Sequence, residues 1–436
     1  MAPTLSSFIN PSSYAKEVIS GSFVAAMKVG TGYVAPTLTS TGSSNDPGGL
    51  FGWLIYARSN TAYFNPAKGT TSDKYIVYNN PGDLVGDLNK LSGITNALLS
   101  NVGGGLSAFF STSDSSTVVP TITGYDFLYS VNYLAYGGSL VLAPLTSGFD
   151  TYQSNAGQYL DVVINKNGDP SVTQWVRDQT YTIGIFPTIA PTGGLTGEGL
   201  TAADYQGIMG AASYVTGSSG KRIFTVYGTK TQATANSTNG SATFDIGSLL
   251  TNGTLSYTLS TVSDVAGFFA RAKSRNETYL TIAGLDRSIP LNGTINNTID
   301  WSSTTKTELR NKRINFFVNY TPRFLGSDLV GATSSSSVIV DDRVGPARMK
   351  IGLTNDLNRI GIKYSFEINN EATRSAVNSE IESTLEPYAT FIDATRTQII
   401  CDNTNNTDNS SQLNITLIVK PILSVDSFVI DLSFTQ

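Results

Sequence analysis

The residues able to do chemistry in this chain are few, and the first informative count is zero: the sequence contains no histidine. A Ser-His-Asp or Cys-His arrangement therefore cannot form. Zinc sites that use His are excluded, and one cysteine cannot build a Cys-rich one. That residue, Cys401, has no base beside it in sequence and reads as a small core side chain rather than a nucleophile. Asp341, Asp342 and Asp402 are the acids whose grouping could support general acid-base work or a metal. Solvated turn acids, or acids paired with Arg343, are the plainer reading. Asn403, Asn405, Asp408 and Asn409 offer oxygens to a cation, but no twelve-residue calcium loop with its Gly and Glu surrounds them. Gly193-Gly-Leu-Thr-Gly-Glu-Gly199 lacks the Gly-Lys-Ser/Thr ending of a phosphate loop and the glycine spacing of a dinucleotide site, so it reads as a plain loop. No catalytic, metal or cofactor site is expected, and the chain is not expected to be an enzyme.

Composition points the same way. The 436 residues are enough for several domains. Only 14% are charged, the formal net charge is -5, and no basic run occurs. A nucleic-acid-binding role is therefore not expected, nor attraction to an anionic membrane. No secretion signal is expected from the first residues, and no apolar run approaches the ~20 residues of a spanning helix. The single cysteine suits a reducing cytoplasm. Asn-x-Ser/Thr triplets such as Asn252-Gly-Thr254 and Asn414-Ile-Thr416 are chance products of an Asn- and Thr-rich chain. The 21 Tyr and 20 Phe could line a sugar or nucleic-acid surface; core and subunit-interface packing is the blander reading.

The elements follow from periodicity. Strands are expected at 23–34, 50–57, 74–78 and 139–145. A helix is expected at 125–136, stopped by Gly137-Gly138, with partly helical structure at 91–110. In the middle, 181–186 and 222–227 read as buried strands joined through a helix near 202–214, which predicts a parallel pair. Residues 231–253 read as loop or edge. A helix near 263–271 and a strand at 313–318 follow. Further on come a helix near 348–360, a strand at 364–368, and a helix capped by Asn370 that runs to Glu386 and carries Val377, Ile381 and Leu385 on one face.

The last stretch, 395–436, organises the whole. Leu413, Ile415, Leu417 and Val419 alternate on one face, as do Phe428, Ile430, Leu432 and Phe434. Burying the second set contributes about 6–12 kcal/mol. Ordering seven residues of backbone costs about 7–14 kcal/mol. Such a strand needs a sheet edge to pair with, in its own subunit or a neighbour's.

An apolar strand, then Cys401-Asp-Asn-Thr-Asn-Asn-Thr407, a polar run and two alternating strands resembles the end of contractile phage tail sheath proteins. Pro11, Tyr14, Glu17 and Val18 match that family's N-terminal strand, with Ser12 in place of its usual Gly. Tyr78-Asn-Asn-Pro-Gly-Asp-Leu-Val-Gly-Asp87, Val265-Ala-Gly267 with Ala270-Arg271, and Ile314-Asn315 also resemble family segments. The resemblance is most specific from Ile314 onward.

This resemblance implies a mixed α/β (α+β) multidomain fold with a subtilisin-like α/β middle domain. The implied division is an N-terminal arm (1–22), a β-rich domain (23–124), the middle domain (125–325), a sheath C-terminal domain (326–424) and a C-terminal arm (425–436). The implied function is structural. Copies form stacked six-membered rings around a tail tube in a virion tail assembled in the host cytoplasm, with tube, baseplate and tail-terminator proteins as partners. Tyr14, Lys16, Glu17, Val18, Phe428, Ile430, Leu432 and Phe434 are the expected inter-subunit arm residues. The polar face of the 371–386 helix, Glu371, Arg374, Asn378 and Glu382, is the expected tube-facing surface. The sheath of a bacterial injection or secretion system is the alternative within this class. A β-rich binding module or adhesin and an α/β hydrolase are the rivals outside it.

Overall fold

A computed structural model describes residues 23–29, 54, 74–84, 86–87, 121–122, 124–166, 168–188, 222–234, 244–245, 255–291, 293–300, 304–331, 342–408 and 410–423. Both expected arms lie outside these residues, as do the glycine loop at 193–199, Asp341 and Asn409. The chain divides into two compact units. One comprises 1–276 and 282–338; the other comprises 277–281 and 339–436.

The first unit is built on an eight-stranded sheet. Its parallel core uses β1 (Val24–Lys28), β4 (Ser139–Ala143), β5 (Val162–Ile164), β6 (Ile183–Pro187), β7 (Ile223–Tyr227) and β12 (Ile314–Val318). Edge strands β2 (Ile76–Tyr78) and β13 (Phe324–Leu325) are antiparallel, and the order is β13-β12-β7-β6-β5-β1-β4-β2. Near-continuous apolar runs such as IGIFP and INFFV are buried along their whole length, as befits a parallel sheet covered on both faces. The predicted parallel pairing of the 181–186 and 222–227 strands is present: Ile185 lies opposite Phe224. A further three-stranded sheet has the order β10 (Leu255–Ser260), β8 (Thr229–Thr234), β11 (Thr294–Asn296), so 231–234, expected as loop or edge, belongs to its central strand. The short β3 (Thr121–Ile122) pairs with β9 (Phe244–Asp245).

Because β1 pairs with both β4 and β5, residues 24–28 lie in the middle of this sheet. The division into units therefore differs from the expected boundaries at 124/125 and 325/326. Helix α1 (Gly124–Ala135) stops where Gly137 takes φ 92°, a conformation that glycine adopts without strain. Helices α2 (Ser147–Ala156) and α3 (Pro170–Asp178) fill a stretch with weak periodic signal. α3 starts on the Asp169 cap with Pro170 in its first turn. Helix α4 (Val262–Ser274) is buried almost all round. At Gly267 a Cβ would meet the Tyr136 ring at 2.1 Å, so only glycine permits this approach. Leu54 is helical where a strand is expected. Helix α5 (Thr304–Asn311) leads into β12.

The second unit is a smaller α/β body with helices α6 (Val344–Lys363) and α7 (Glu371–Leu385) and an antiparallel pair, β14 (Gln398–Ile400) with β15 (Thr416–Ile418). Its core gathers Met349, Leu353, Ile360, Val377, Ile381, Leu385, Tyr388, Ile392 and Cys401. Tyr279 from the 277–281 segment stacks on Tyr388 with ring centroids 4.8 Å apart. The expected strand at 364–368 is instead a turn after α6, with Phe366 at φ 74°. Alternation of Tyr364, Phe366 and Ile368 suggested a buried face, but Phe366 and Ile368 are exposed and nothing pairs there among the described residues.

Candidate assembly surface of the C-terminal unit

Helix α7 begins where the Asn370 side chain accepts a hydrogen bond from the Thr373 backbone N–H at 2.9 Å. Val377, Ile381 and Leu385 form its buried stripe, as their spacing predicts. Of the four residues expected on its polar face, Glu371 and Glu382 are exposed and Asn378 is half-buried. Arg374 is the correction: it is 2% exposed.

The reason is electrostatic. Arg374 Nη1 donates to Asn369 Oδ1 at 2.8 Å and Nη2 to Asn403 Oδ1 at 2.6 Å. Nη2 also bonds the Asp408 carboxylate. A buried guanidinium needs such partners, because an unpaired buried charge costs several kcal/mol. The space between Asn403 and Asp408, which the sequence offers as a possible cation site, thus already holds a cation, the guanidinium. Among the described residues no group of three or more His, Cys, Asp or Glu side chains could hold a metal.

The Asn-rich run closes on itself. Asn369 Nδ2 donates to Gln412 O at 2.8 Å, and Asn405 Nδ2 to Ile400 O at 2.8 Å. Asn406 receives the Asn414 N–H at 2.6 Å and donates to Asn414 O at 2.9 Å. These side chains act as backbone substitutes, the property that places Asn in turns. Asp402 accepts from Thr404 N at 2.7 Å. The Thr404 hydroxyl and N–H hydrogen bonds hold the exposed Asp402 carboxyl below its usual range. Cys401 is buried, as expected, and burial pushes its thiol up. Asp342 is buried rather than solvated.

Leu413, Ile415, Leu417 and Val419 pack toward the core while their neighbours are exposed, which is the predicted alternation. Between α6 and β15 lies a groove of ≈ 580 Å³, floored by Leu353, Leu357, Leu417 and Val419 and flanked by Lys350 and Lys420. No sequence pattern announces this groove, because its walls come from segments some sixty residues apart.

In the first unit, the crevice at the carboxyl ends of β1 and β5 is where a doubly wound sheet usually takes a ligand. Here Lys28 Nζ, at the end of β1, meets Asp169 Oδ2 at 2.7 Å and Ser171 Oγ at 3.2 Å. Asp169 also accepts the Ser171 N–H at 2.8 Å. Partial burial alone would raise the Asp169 carboxyl, but the bonds from Lys28 and Ser171 outweigh it and hold it at about 2. The start of α3, an anion-attracting end, is thus filled by the chain's own carboxylate. Deeper in, Lys230 and Asp264 form a fully buried ion pair at 2.9 Å, and the Tyr136 hydroxyl donates to Asp264 at 3.1 Å. Both clusters neutralise their own charges, and neither sets a nucleophile beside a base.

No family model matches the chain. It is 26% identical over 170 residues to the tail sheath protein of Enterobacteria phage T4, covering 38% of this chain. The match takes in only about a quarter of that curated relative's length: 25%. Two solved structures are similar across 97% of this chain. One is the sheath complex of the PVC extracellular contractile injection system in its contracted state, with TM-score 0.57, 12% identity and 94% of that chain covered. The other is the helical sheath of the anti-feeding prophage in its contracted state, with TM-score 0.51, 13% identity and 96% covered. At that identity the likeness is one of fold. Motifs, sequence match and fold agree on one kinship: the chain resembles the contractile tail sheath family and is built on its fold.

Proposed function

We propose that the chain is the polymerising subunit of a contractile sheath. Copies stack as six-membered rings around a tail tube, and a rigid-body rearrangement of the subunits drives the tube forward. The observation that carries this reading is the coincidence of the sequence match to a tail sheath protein with a sheath-like fold over 97% of the chain. The chain would act with no catalytic site and no cofactor. Its partners would be further copies of itself, the tube, the baseplate and the tail-terminator proteins, in a virion tail assembled in the host cytoplasm. The sheath of a bacterial injection system is the second reading, favoured by the two similar injection-system sheaths. Genes for capsid and tail fibres beside this one would favour the phage; genes for effectors and an ATPase would favour the injection system.

The arms supply the links. Among the described residues the β14–β15 sheet has two strands, and such a pair is marginal alone in water. A strand added from a neighbour along the outer edge of β14 would complete it. Phe428, Ile430, Leu432 and Phe434 have the alternation such a strand needs, and Tyr14, Lys16, Glu17 and Val18 form a second extended candidate. Repeated through a lattice, a modest gain per arm becomes a strong cooperative link. Removing residues 425–436 tests this. A folded, soluble chain that forms no sheath supports the arms; a truncated chain that still builds tubes sinks them. Glu371 and Glu382 remain the candidate tube-facing residues of α7, and reversing both charges is expected to weaken assembly on tubes without unfolding the subunit.

A further inference from the structure

The last turn of α6 and the segment after it expose three large apolar side chains: Ile362 at 75%, Phe366 at 106% and Ile368 at 68%. Phe366 stands there at φ 74°, a backbone region that bulky residues rarely occupy. Scattered exposed apolar residues need no explanation, but three within seven residues, one of them strained outward, mark a contact site. The same unit carries the apolar groove of ≈ 580 Å³ between α6 and β15. We infer that the Phe366 knob of one subunit seats in the α6–β15 groove of a second copy of this chain. This rests on the assembly reading above and adds a specific contact to it.

Three observations support this occupant. The chemistry matches: an aromatic and two isoleucines face Leu353, Leu357, Leu417 and Val419. The charges match: Glu367 and Glu371 are exposed beside the knob, and Lys350 and Lys420 flank the groove. The geometry disfavours the same molecule: on their shared helix Ile362 lies about 180° round the axis from Leu353 and about 140° from Leu357, so it faces away from the groove of its own subunit. Knob and groove are different surfaces, so the contact is head-to-tail and propagates into a ring or a helix instead of closing as a dimer.

The test uses two full-length variants, Phe366→Cys and Leu357→Cys; the native Cys401 is buried. Mixed and assembled, then treated with a short bismaleimide, they are expected to give a covalent dimer that neither variant gives alone. Cross-linking of Phe366→Cys to itself overturns the head-to-tail contact. So does a Leu357→Cys chain that cross-links to an Ile430→Cys partner, in the C-terminal arm, and not to Phe366→Cys. A further variant, Phe366→Ser, is expected to raise the protein concentration needed for particles at least tenfold with an unchanged melting temperature. Wild-type particles together with unaffected Phe366→Ser particles overturn this contact alone. A wild-type chain that forms no particles overturns the assembly reading and the contact with it.

Discussion

Arg374 Nη1 donates to Asn369 Oδ1 across 2.8 Å, with the guanidinium in the interior of the C-terminal unit. Asn369 in turn holds the far end of the polar run through Gln412 O. One arginine on α7 thus fastens both Asn403, at the start of the run, and Asp408, near its middle. Replacing Arg374 by Ala is expected to destabilise the unit by about 1–3 kcal/mol, because the buried Asn369 carbonyl loses its donor while the exposed Asn403 and Asp408 turn to water. Amide hydrogen exchange should rise across 402–414 before the rest of the unit opens. Arg374→Glu should be worse. Protection of 402–414 unchanged in the Ala variant would remove Arg374 from this role.

That residue also shows where the sequence could be read and where it could not. Helical spacing located α7, its Asn370 cap and its apolar stripe, since these depend on neighbours three and four positions away. The same spacing put Arg374 on the outer face. Its burial depends on Asn403 and Asp408, some thirty residues on, which no local pattern encodes. The parallel strands were legible because burial on both faces leaves continuous apolar runs. β5, with three residues, left too short a run, and the 364–368 alternation imitated a strand in a turn. The candidate assembly groove has no sequence signal, whereas the strand beside it, 413–419, has a clear one.

The Lys230–Asp264 pair carries a second expectation. Both side chains are 1% exposed, and Tyr136 bonds the same carboxylate. Asp264→Ala leaves a buried ammonium and is expected to cost about 3–5 kcal/mol. Urea unfolding would show it as a lower midpoint. Replacing both charges together, as Lys230→Met with Asp264→Leu, should recover part of that loss. A single variant as stable as the parent would contradict the pairing.

Asp169 makes stability depend on acid. Its folded carboxyl titrates at about 2, below the ordinary 3.8. A depressed carboxylate stabilises the fold above its unfolded pKa, so the contribution is complete above about pH 4. It fades as pH falls through 2. The site is partly exposed, so solvent screening reduces the effect to about 1 kcal/mol. Lys28→Met is therefore expected to lower stability by about that amount at pH 7, with the difference from the parent shrinking between pH 4 and pH 2. A constant difference across that range would assign the effect to packing of the Lys28 stem.

The central claim is polymerisation, and electron microscopy of the purified full-length chain at rising concentration tests it most directly. The account predicts rings or tubes with a regular axial repeat. A chain that stays monomeric at high concentration, with its termini intact, would contradict it.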